Sequence, residues 1–443
     1  MSDSPKFNIF WFRRDLRLHD NHGLYRALKT GNKVQCLFIF DRNILDKLPS
    51  KKDARVEFIY DALKTIQSEV EKHGGELWVR HGKPTEVWKD ILDKNDVQDI
   101  FTNRDYEPYA KERDEEVEKI ADKKGVGFNR YKDHVIFESE EVLKDDGDPY
   151  VVFTPYKRKW MERLKSRKSG SEYYYFRAFP SADLLDGLRQ VKEAEKMMDL
   201  KHLGFERTEI EIPDDEVKQK IIKEYAEKRD YPAINGTSRL GIHFRFGTIS
   251  IRNKAAKALN LSETYLSELV WRDFYSQILD QFPHVVKNAF REKYDRIEWR
   301  NNEKEFEAWC EGKTGYPIVD AGMRELNATG YMHNRVRMVT ASFLTKHLLI
   351  DWRWGEAYFA EKLLDFDLAS NNGGWQWAAG SGTDAAPYFR IFNPASQQKK
   401  FDKDYAYVKK WVEEWETDDY PDPIVDHKEA RERCLATYKE ALN

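Results

Sequence analysis

The chain has 443 residues, 40% hydrophobic and 34% charged, which is typical of a globular protein with two or three domains and excludes a low-complexity chain. Its net charge of −4 does not exclude nucleic-acid binding, because binding depends on where basic residues cluster. No apolar run reaches the roughly 20 residues of a membrane span, and no secretory leader stands at the N-terminus. Without such a run, we expect no membrane partner. Three widely spaced cysteines argue against a disulfide framework, so we expect a cytoplasmic protein.

The first 131 residues alternate short apolar runs with amphipathic stretches. The runs predict buried strands at 7–12, 34–40, 77–80 and 97–102, and the stretches predict helices at 53–72, 84–94 and 111–123. This alternation predicts an α/β domain with a doubly wound, Rossmann-like parallel sheet. The dinucleotide fingerprint GxGxxG is absent after the first strand, where RRDLRLHDN stands, which disfavours nicotinamide binding.

Residues 132–203 lose this pattern and predict a connection with turns and short helices. Residues 204–443 then predict an all-α domain, with helical periodicity separated by Gly, Asn and Pro. The predicted helices are 215–229, 262–281, 303–312, 318–329, 333–347, 355–364 and 405–414.

Two segments of the helical half predict ligand contacts. Residues 367–394 combine Gly, Asn and Ser with aromatics, which we interpret as a long functional loop where the backbone approaches a ligand. Residues 236–241, GTSRLG, offer hydroxyl groups and backbone amides for a phosphate, although an ordinary N-cap explains them equally well.

Several motifs together resemble the photolyase/cryptochrome family over nearly the whole chain. They run from FWFRRDLRLHDN through GTSRL, FGTIS and ELVWRDFY to EGKTGYPIVDAGMRELNATGYMHNRVRMVTASFL, DWRWGEAYF and DFDLASNNGGWQWAAGSGTDAAPYFRIFNP. Within the family the chain resembles class I enzymes that repair cyclobutane pyrimidine dimers, because Met332-His333-Asn334 lacks the histidine pair of the (6-4) repair enzymes. The flavin loop of the DASH-type cryptochromes has a different sequence from the one in this chain.

The resemblance implies FAD, folded into a U shape inside an FAD-binding helical domain. Arg337 and Asp365 match the ion pair beside the isoalloxazine ring, and Asn371 matches the position that faces flavin N5. Gly241 stands where family members often have Ser, so a backbone amide would have to replace a hydroxyl contact. The implied FAD-binding residues are Tyr225, Thr237, Ser238, Arg239, Leu240, Gly241, Trp271, Asn334, Arg337, Asp365, Asp367 and Asn371.

The resemblance also implies a pocket for a dimer flipped out of UV-damaged DNA. Two indoles would stack on the unstacked pyrimidines, while carboxylate and amide groups bind their polar edges. Base flipping is a general solution for enzymes that act on a base inside a duplex, photolyases included. The implied catalytic residues are Glu268, Trp271, Asn334, Arg335, Met338, Asn371 and Trp377.

Three further sets follow from the resemblance. Trp375, Trp352 and Trp299 match a relay that carries electrons to oxidised flavin, with core packing as the alternative for each. An antenna site at Asn103 and Glu107 would hold methenyltetrahydrofolate, a deazaflavin or a second flavin, or stay empty. No metal site is expected. The implied contacts to DNA phosphates are Arg229, Arg335, Arg390, Lys399 and Lys400.

The implied function is light-driven dimer repair by a deoxyribodipyrimidine photolyase that acts as a monomer. A cryptochrome photoreceptor of the same fold is the main alternative. Asn371, the complete pocket set and the short segment after the flavin loop favour repair. A flavin-dependent oxidoreductase acting on small molecules would need a second redox site, for which the sequence offers no candidate.

Overall fold

The structure is a computed structural model that describes residues 6–166 and 174–443, so part of the predicted connection, residues 167–173, lies outside the described residues. The chain divides into two compact units. Unit 1 comprises residues 1–138, 162–215 and 240–257, and unit 2 comprises residues 139–161, 216–239 and 258–443. No helix in the described part is long and apolar enough to cross a membrane.

Unit 1 is built on a five-stranded parallel sheet with the order β3-β2-β1-β4-β5. The two apolar strands β1 and β2 are buried along their whole length, as expected for a parallel sheet covered on both faces. This confirms the predicted α/β fold. The strands are β1 Phe7–Phe12, β2 Val34–Asp41, β3 Leu77–Gly82, β4 Val97–Asn103 and β5 Gly127–Tyr131.

The prediction missed strand β5. Its sequence, GFNRY, has no apolar run, and all five residues are only partly buried. A strand at the edge of a sheet pairs on one side only, so its existence depends on its neighbour β4 rather than on its own hydrophobicity.

Nineteen α-helices are described, together with short 3₁₀ segments and a π-helical turn at Phe343–His347. The helices are α1 His22–Leu28, α2 Arg42–Leu45, α3 Ala54–Lys72, α4 Pro84–Lys94, α5 Pro108–Asp122, α6 Phe153–Lys165, α7 Gln219–Lys223, α8 Tyr225–Lys228, α9 Gly241–Phe246, α10 Ile251–Leu261, α11 Glu263–Gln281, α12 Glu303–Glu311, α13 Pro317–Thr329, α14 Asn334–Ser342, α15 Trp352–Lys362, α16 Leu368–Ala379, α17 Pro394–Phe401, α18 Ala406–Trp411 and α19 His427–Leu442.

The main correction concerns residues 367–394, which we interpreted as one long loop. Its first half is helix α16, which begins after Asp367 and ends at Gly380. Asp367 caps the helix by accepting a hydrogen bond from Ser370 N at 3.1 Å, and Gly380 has φ of 86°. Two adjacent glycines inside the helix weakened the helical pattern, although tertiary packing overrides their low propensity.

Two other predicted helices need correction, and several helices were missed. The predicted helix 215–229 is two short helices, α7 and α8. The predicted helix 333–347 is α14 followed by the π-helical turn. Helices α10, α17 and α19 were not predicted at all. All three carry many charged or polar residues, so their apolar stripes are narrow.

Candidate functional site

Three helices of unit 2 position the predicted site residues. Helix α16 packs against both α11 and α14. Helix α11 begins after Ser262, whose side chain accepts from Tyr265 N, and α14 begins after His333, whose ring accepts from Arg335 N. On α16, Gly373 lies so close to the Tyr275 ring that an added Cβ would overlap it. This glycine therefore allows the close approach of α16 to α11.

Helix α16 has one buried face and one open face. Asn372, Trp375 and Gln376 are buried, whereas Asn371, Gly374 and Trp377 are spaced three residues apart on the other face. A Cβ added to Gly374 would meet nothing within 4 Å. Glycine inside a helix costs about 1 kcal/mol relative to Ala. The open strip at Gly374, between an amide and an indole, is the kind of cradle that a flat ring system fills, so these residues fit FAD.

Asn371 has a fixed orientation. Its side-chain Nδ2 donates to Glu356 Oε1 at 2.7 Å and to the Glu356 carbonyl oxygen at 3.1 Å. Burial raises the pKa of Glu356 above its usual value, and the hydrogen bond from Asn371 partly offsets this. Because both amide hydrogens have acceptors on helix α15, the Asn371 carbonyl oxygen is the group left for a ligand.

Arg337 and Asp365 form the ion pair that the resemblance implied. Arg337 Nη2 donates to both carboxylate oxygens of Asp365, at 3.0 and 3.1 Å, and its Nε donates to the Met332 carbonyl oxygen at 2.7 Å. The guanidinium is therefore held at two points. A cation fixed in this way suits a flavin ring that carries negative charge when reduced.

The predicted diphosphate segment lies beside aromatic residues. Thr237 Oγ1 and the Tyr331 hydroxyl are 3.2 Å apart, and the Tyr265 hydroxyl donates to Ser238 Oγ at 3.1 Å. Arg239 has φ of 51°, in the left-handed region, and its guanidinium lies 4.5 Å from the centre of the Tyr331 ring. Hydroxyl groups and an arginine in a turn are suitable donors for a diphosphate.

The remaining predicted cofactor residues lie in different surroundings. The Tyr225 ring meets the Tyr265 ring edge to face at 5.1 Å. Asp367 is the N-cap of α16, as described above. Leu240 and Gly241 belong to unit 1, where Leu240 is buried and Gly241 is the first residue of α9.

Two predicted substrate residues share one face of α11. Glu268 forms an ion pair with Arg229, a predicted DNA contact. One turn later, the Trp271 indole stacks on Phe153, with ring centres 3.6 Å apart and planes 7° apart. The Tyr275 ring also lies beside the Trp271 indole, with ring centres 5.3 Å apart. The indole is therefore held in a defined plane before any substrate binds.

Helix α14 brings three other predicted pocket residues together. Asn334 Nδ2 and Arg335 Nη1 lie 3.9 and 4.0 Å from Met338 Sδ. Arg335 also donates to Asp230 Oδ1 at 2.8 Å, and its guanidinium lies 4.3 Å from the centre of the Phe401 ring. The sulfur atom thus lies between an amide and a cation at the exposed end of the helix.

The three tryptophans of the predicted relay belong to one apolar cluster. Trp375 and Trp352 are buried in it, each with 2% exposure, and the partly buried Trp299 packs against it. Trp309 is also buried in this cluster and meets Trp375 edge to face at 6.0 Å. Its Nε1 donates to the Thr340 carbonyl oxygen at 3.2 Å, as expected for a residue that packs in the core.

Three of the five predicted basic contacts are exposed. Arg390 and Lys399 are at the surface, and Lys400 Nζ lies 5.0 Å from the centre of the Phe401 ring. Phe389, next to Arg390, is 61% exposed, an unusual position for a large apolar ring.

The two residues predicted for an antenna site take part in the fold of unit 1. The Asn103 amide donates to Asp15 at 2.6 Å and to Asn21 at 2.8 Å, and its oxygen accepts from Gly23 N at 2.8 Å. Glu107 accepts hydrogen bonds from Arg14 at 3.0 Å and Arg245 at 2.5 Å. Asn103 is therefore committed to internal hydrogen bonds, and Glu107 already has two cationic partners.

Sequence reasoning missed four residues of this site: Glu356, which orients Asn371; Phe153, which supports Trp271; Tyr331, beside Thr237 and Arg239; and Asp230, the partner of Arg335. The sequence separation between each of the four and its partner matches no known motif, so the sequence offered no reason to pair them. The one available signal was the pair of arginines at 335 and 337, since two cations so close to a core-facing stripe each need an acidic partner.

The comparisons with known proteins identify the family. Residues 8–173 match the family described as DNA photolyase, and residues 265–418 match the FAD binding domain of DNA photolyase. A protein of Halobacterium salinarum named deoxyribodipyrimidine photo-lyase is 37% identical, with 98% of this chain and 99% of the relative covered.

Two solved structures are also similar over their full length. A class III photolyase from Agrobacterium tumefaciens has a TM-score of 0.86 at 33% identity, with coverage of 100% of this chain and 98% of that one. A Sulfolobus tokodaii photolyase with two FAD molecules has a TM-score of 0.81 at 37% identity, with 98% and 99% covered. The class I subgroup stays a prediction. The chain belongs to the photolyase/cryptochrome family and carries its FAD-binding domain.

Proposed function

We propose that this protein uses light to split cyclobutane pyrimidine dimers in DNA, as a deoxyribodipyrimidine photolyase. The observation that carries the proposal is the meeting of three helices in unit 2. Helix α16 presents an amide and an indole beside an open strip, while α11 and α14 supply the remaining polar and aromatic groups. The similarity to the Halobacterium salinarum relative, which is named deoxyribodipyrimidine photo-lyase, supports the same activity.

When bound, reduced FAD supplies the light-excited electron that opens the cyclobutane ring and that returns to the flavin afterwards. The residues of this chain hold and polarise the cofactor. Asn371 would offer its carbonyl oxygen, because Glu356 holds its amide hydrogens. Arg337, fixed by Asp365 and Met332, would place a positive charge beside the ring.

The pocket residues would bind a dimer that has left the duplex. Trp271, held flat by Phe153, would offer a stacking surface, and Trp377 on α16 would offer a second. Glu268 would accept hydrogen bonds from the pyrimidine imide groups, and Asn334 would bind the carbonyl edges. A dimer is weakly paired and costs less to extrude than a normal base pair, which gives part of the selectivity.

Trp375, Trp352 and Trp299 would carry electrons from the surface to oxidised FAD. Their common apolar cluster supports this assignment, as does the partial exposure of Trp299. Arg229, Arg335, Arg390 and Lys400 would contact DNA phosphates, so binding should weaken with salt by a slope of about −0.9 per phosphate.

The identity of a second chromophore stays open between a folate, a deazaflavin and a flavin. The Sulfolobus tokodaii structure, which holds two FAD molecules, favours testing a flavin first. We further propose that the protein acts as a monomer on cytoplasmic DNA. Its unpaired thiols, Cys36, Cys310 and Cys434, are compatible with a reducing compartment.

The test uses the purified holoprotein with its flavin reduced and an oligonucleotide that contains one thymine dimer. Blue light should restore intact thymines, and the dark control should not. Glu268→Ala and Trp271→Ala should weaken dimer binding while the flavin spectrum is retained. Bound flavin and photoreduction without dimer splitting would contradict repair and would favour the cryptochrome alternative.

A further inference from the structure

Two adjacent residues of opposite charge each hold one residue of the proposed pocket. Arg229 forms an ion pair with Glu268 on α11, and Asp230 accepts a hydrogen bond from Arg335 on α14 at 2.8 Å. We call Arg229 and Asp230 the counter-charge pair. Arg229 is itself a predicted DNA contact, but Asp230 is not a predicted site residue, and the proposed activity gives it no role.

Asp230 accepts a hydrogen bond from only one of the three nitrogens of the Arg335 guanidinium. The hydrogen bond uses Nη2, while Nη1 has the Met338 sulfur at 4.0 Å. Nε is buried and has no hydrogen-bond partner among the described residues. Phe401 fixes the plane of the guanidinium from a distance of 4.3 Å. Nη1 is therefore the donor that can exchange its weak contact with the sulfur for a hydrogen bond to a ligand.

The local charges balance. Asp230 Oδ1 lies 2.8 Å from Arg335 Nη2 and 3.9 Å from Arg229 Nε, so one carboxylate serves two guanidinium groups. The group therefore carries two positive charges and two negative charges, from Arg229, Arg335, Asp230 and Glu268. A surface that binds a polyanion gains affinity from every uncompensated cation, and a carboxylate beside an arginine opposes this gain.

Asp230 can still be displaced. Its side chain is 38% exposed, and Arg335 is 18% exposed. Asp230 is the more solvent-accessible partner, and solvent screening limits such a pair to about 1 kcal/mol, so a phosphate that reaches Arg335 competes with Asp230.

We propose that Asp230 is a positioning residue that determines specificity for damaged DNA. It compensates the charge of Arg335, so the phosphates of undamaged DNA gain little there. It also fixes Nη2, which leaves Nη1, beside Met338 Sδ, as the donor for a base that enters the pocket. A flipped dimer accepts from Nη1 while the Asp230 hydrogen bond at Nη2 is kept. This inference rests on the proposed function of dimer repair.

The test measures binding of the holoprotein to two oligonucleotides of the same sequence, with and without one thymine dimer, over a range of salt. Asp230→Asn should raise affinity for undamaged DNA by about fivefold, the scale of an exposed ion pair. Its salt slope on undamaged DNA should steepen by about 0.9, the value for one more neutralised phosphate. Affinity for the dimer should rise less, so the ratio of the two affinities should fall.

Two control variants separate this role from a general charge effect. Asp230→Glu keeps the carboxylate and should keep most of the ratio. Asp186→Asn makes the same change of net charge at a carboxylate of unit 1 that is 99% exposed, and it should change neither the ratio nor the slope. Flavin absorbance and the melting temperature confirm that each variant is folded.

Three outcomes contradict the inference. In the first, the ratio of the affinities for dimer-containing and undamaged DNA stays at the parent value in Asp230→Asn. In the second, the affinity of Asp230→Asn for undamaged DNA falls. In the third, Asp186→Asn lowers the ratio as much as Asp230→Asn does. A parent protein that splits dimers while Asp230→Asn keeps the parental ratio overturns this inference alone. A parent that neither prefers nor splits the dimer overturns the proposed function first.

Discussion

The side-chain amide of Asn371 donates a hydrogen bond of 2.7 Å to the carboxylate of Glu356. This contact joins α16 to α15 and decides which end of the amide remains for a ligand. Asn371 alone would be free to present either its oxygen or its nitrogen. The carboxylate, whose pKa is raised by burial, therefore acts on the flavin site through Asn371.

Glu356→Ala should shorten the lifetime of the reduced flavin in air. Without the carboxylate, the Asn371 amide loses an acceptor and its orientation. We expect about fivefold faster reoxidation, the scale of one hydrogen bond of about 1 kcal/mol. The decay is measured from flavin absorbance after photoreduction. Glu356→Gln keeps an acceptor oxygen and should behave like the parent. If both variants reoxidise at the parental rate, the Asn371 orientation does not matter to the cofactor.

Gly374→Ala should separate protein stability from FAD binding. An alanine removes the helix penalty of glycine, so the free energy of unfolding of the apoprotein should rise by about 0.5–1 kcal/mol. The new methyl group enters the open strip of α16 and should weaken FAD retention. Denaturant unfolding and flavin content after gel filtration measure the two effects.

The matched variant is the neighbouring glycine. In Gly373→Ala the new Cβ overlaps the Tyr275 ring, so the apoprotein should lose about 1–3 kcal/mol. Equal flavin content in Gly374→Ala and the parent would show that the strip is not the flavin cradle.

Trp299→Phe should lose most of the light-driven reduction of oxidised flavin. Repair by protein reduced chemically beforehand should remain, because the relay is then not needed. Photoreduction is followed by flavin absorbance under blue light with an external reductant.

Trp309→Phe is the control for that variant. It should keep photoreduction but lose about 1–3 kcal/mol of stability, since a buried indole and its hydrogen bond to Thr340 are removed. Loss of photoreduction in Trp309→Phe would place that residue in the relay, next to Trp375.

Lys346 should make stability depend on pH. Burial lowers its pKa from 10.5 to about 7, and its Nζ donates to the Ala379 carbonyl oxygen at 2.8 Å and lies 3.8 Å from the centre of the Tyr438 ring. Between pH 7 and 10.5 the unfolded chain keeps a proton that the folded chain has released. The free energy of unfolding should therefore rise with pH in this window and be lowest below pH 7.

Lys346→Met removes the buried charge, so it should be more stable than the parent at pH 6, and this difference should shrink by pH 9. Urea unfolding of both proteins at the two pH values measures it. A constant difference between parent and variant would show that Lys346 does not titrate in this range.

The sequence by itself determined the fold class and the family. Continuous apolar strands separated by amphipathic helices are set by local pattern, so the parallel sheet was predicted correctly except for its edge strand β5. The long motifs at 311–344 and 365–394 carried the family, and the Arg337–Asp365 pair followed from them.

Only the tertiary structure decided which residues support the site residues. Phe153 and Trp271 are 118 positions apart in sequence and stack face to face, because α6 and α11 come together. Asp230 meets Arg335, and Glu356 meets Asn371, on different elements. Such contacts depend on how helices pack, and packing follows from the shape and volume of the whole core. A local sequence pattern predicts the secondary structure of a segment, but it does not predict which residues the segment contacts in the folded protein.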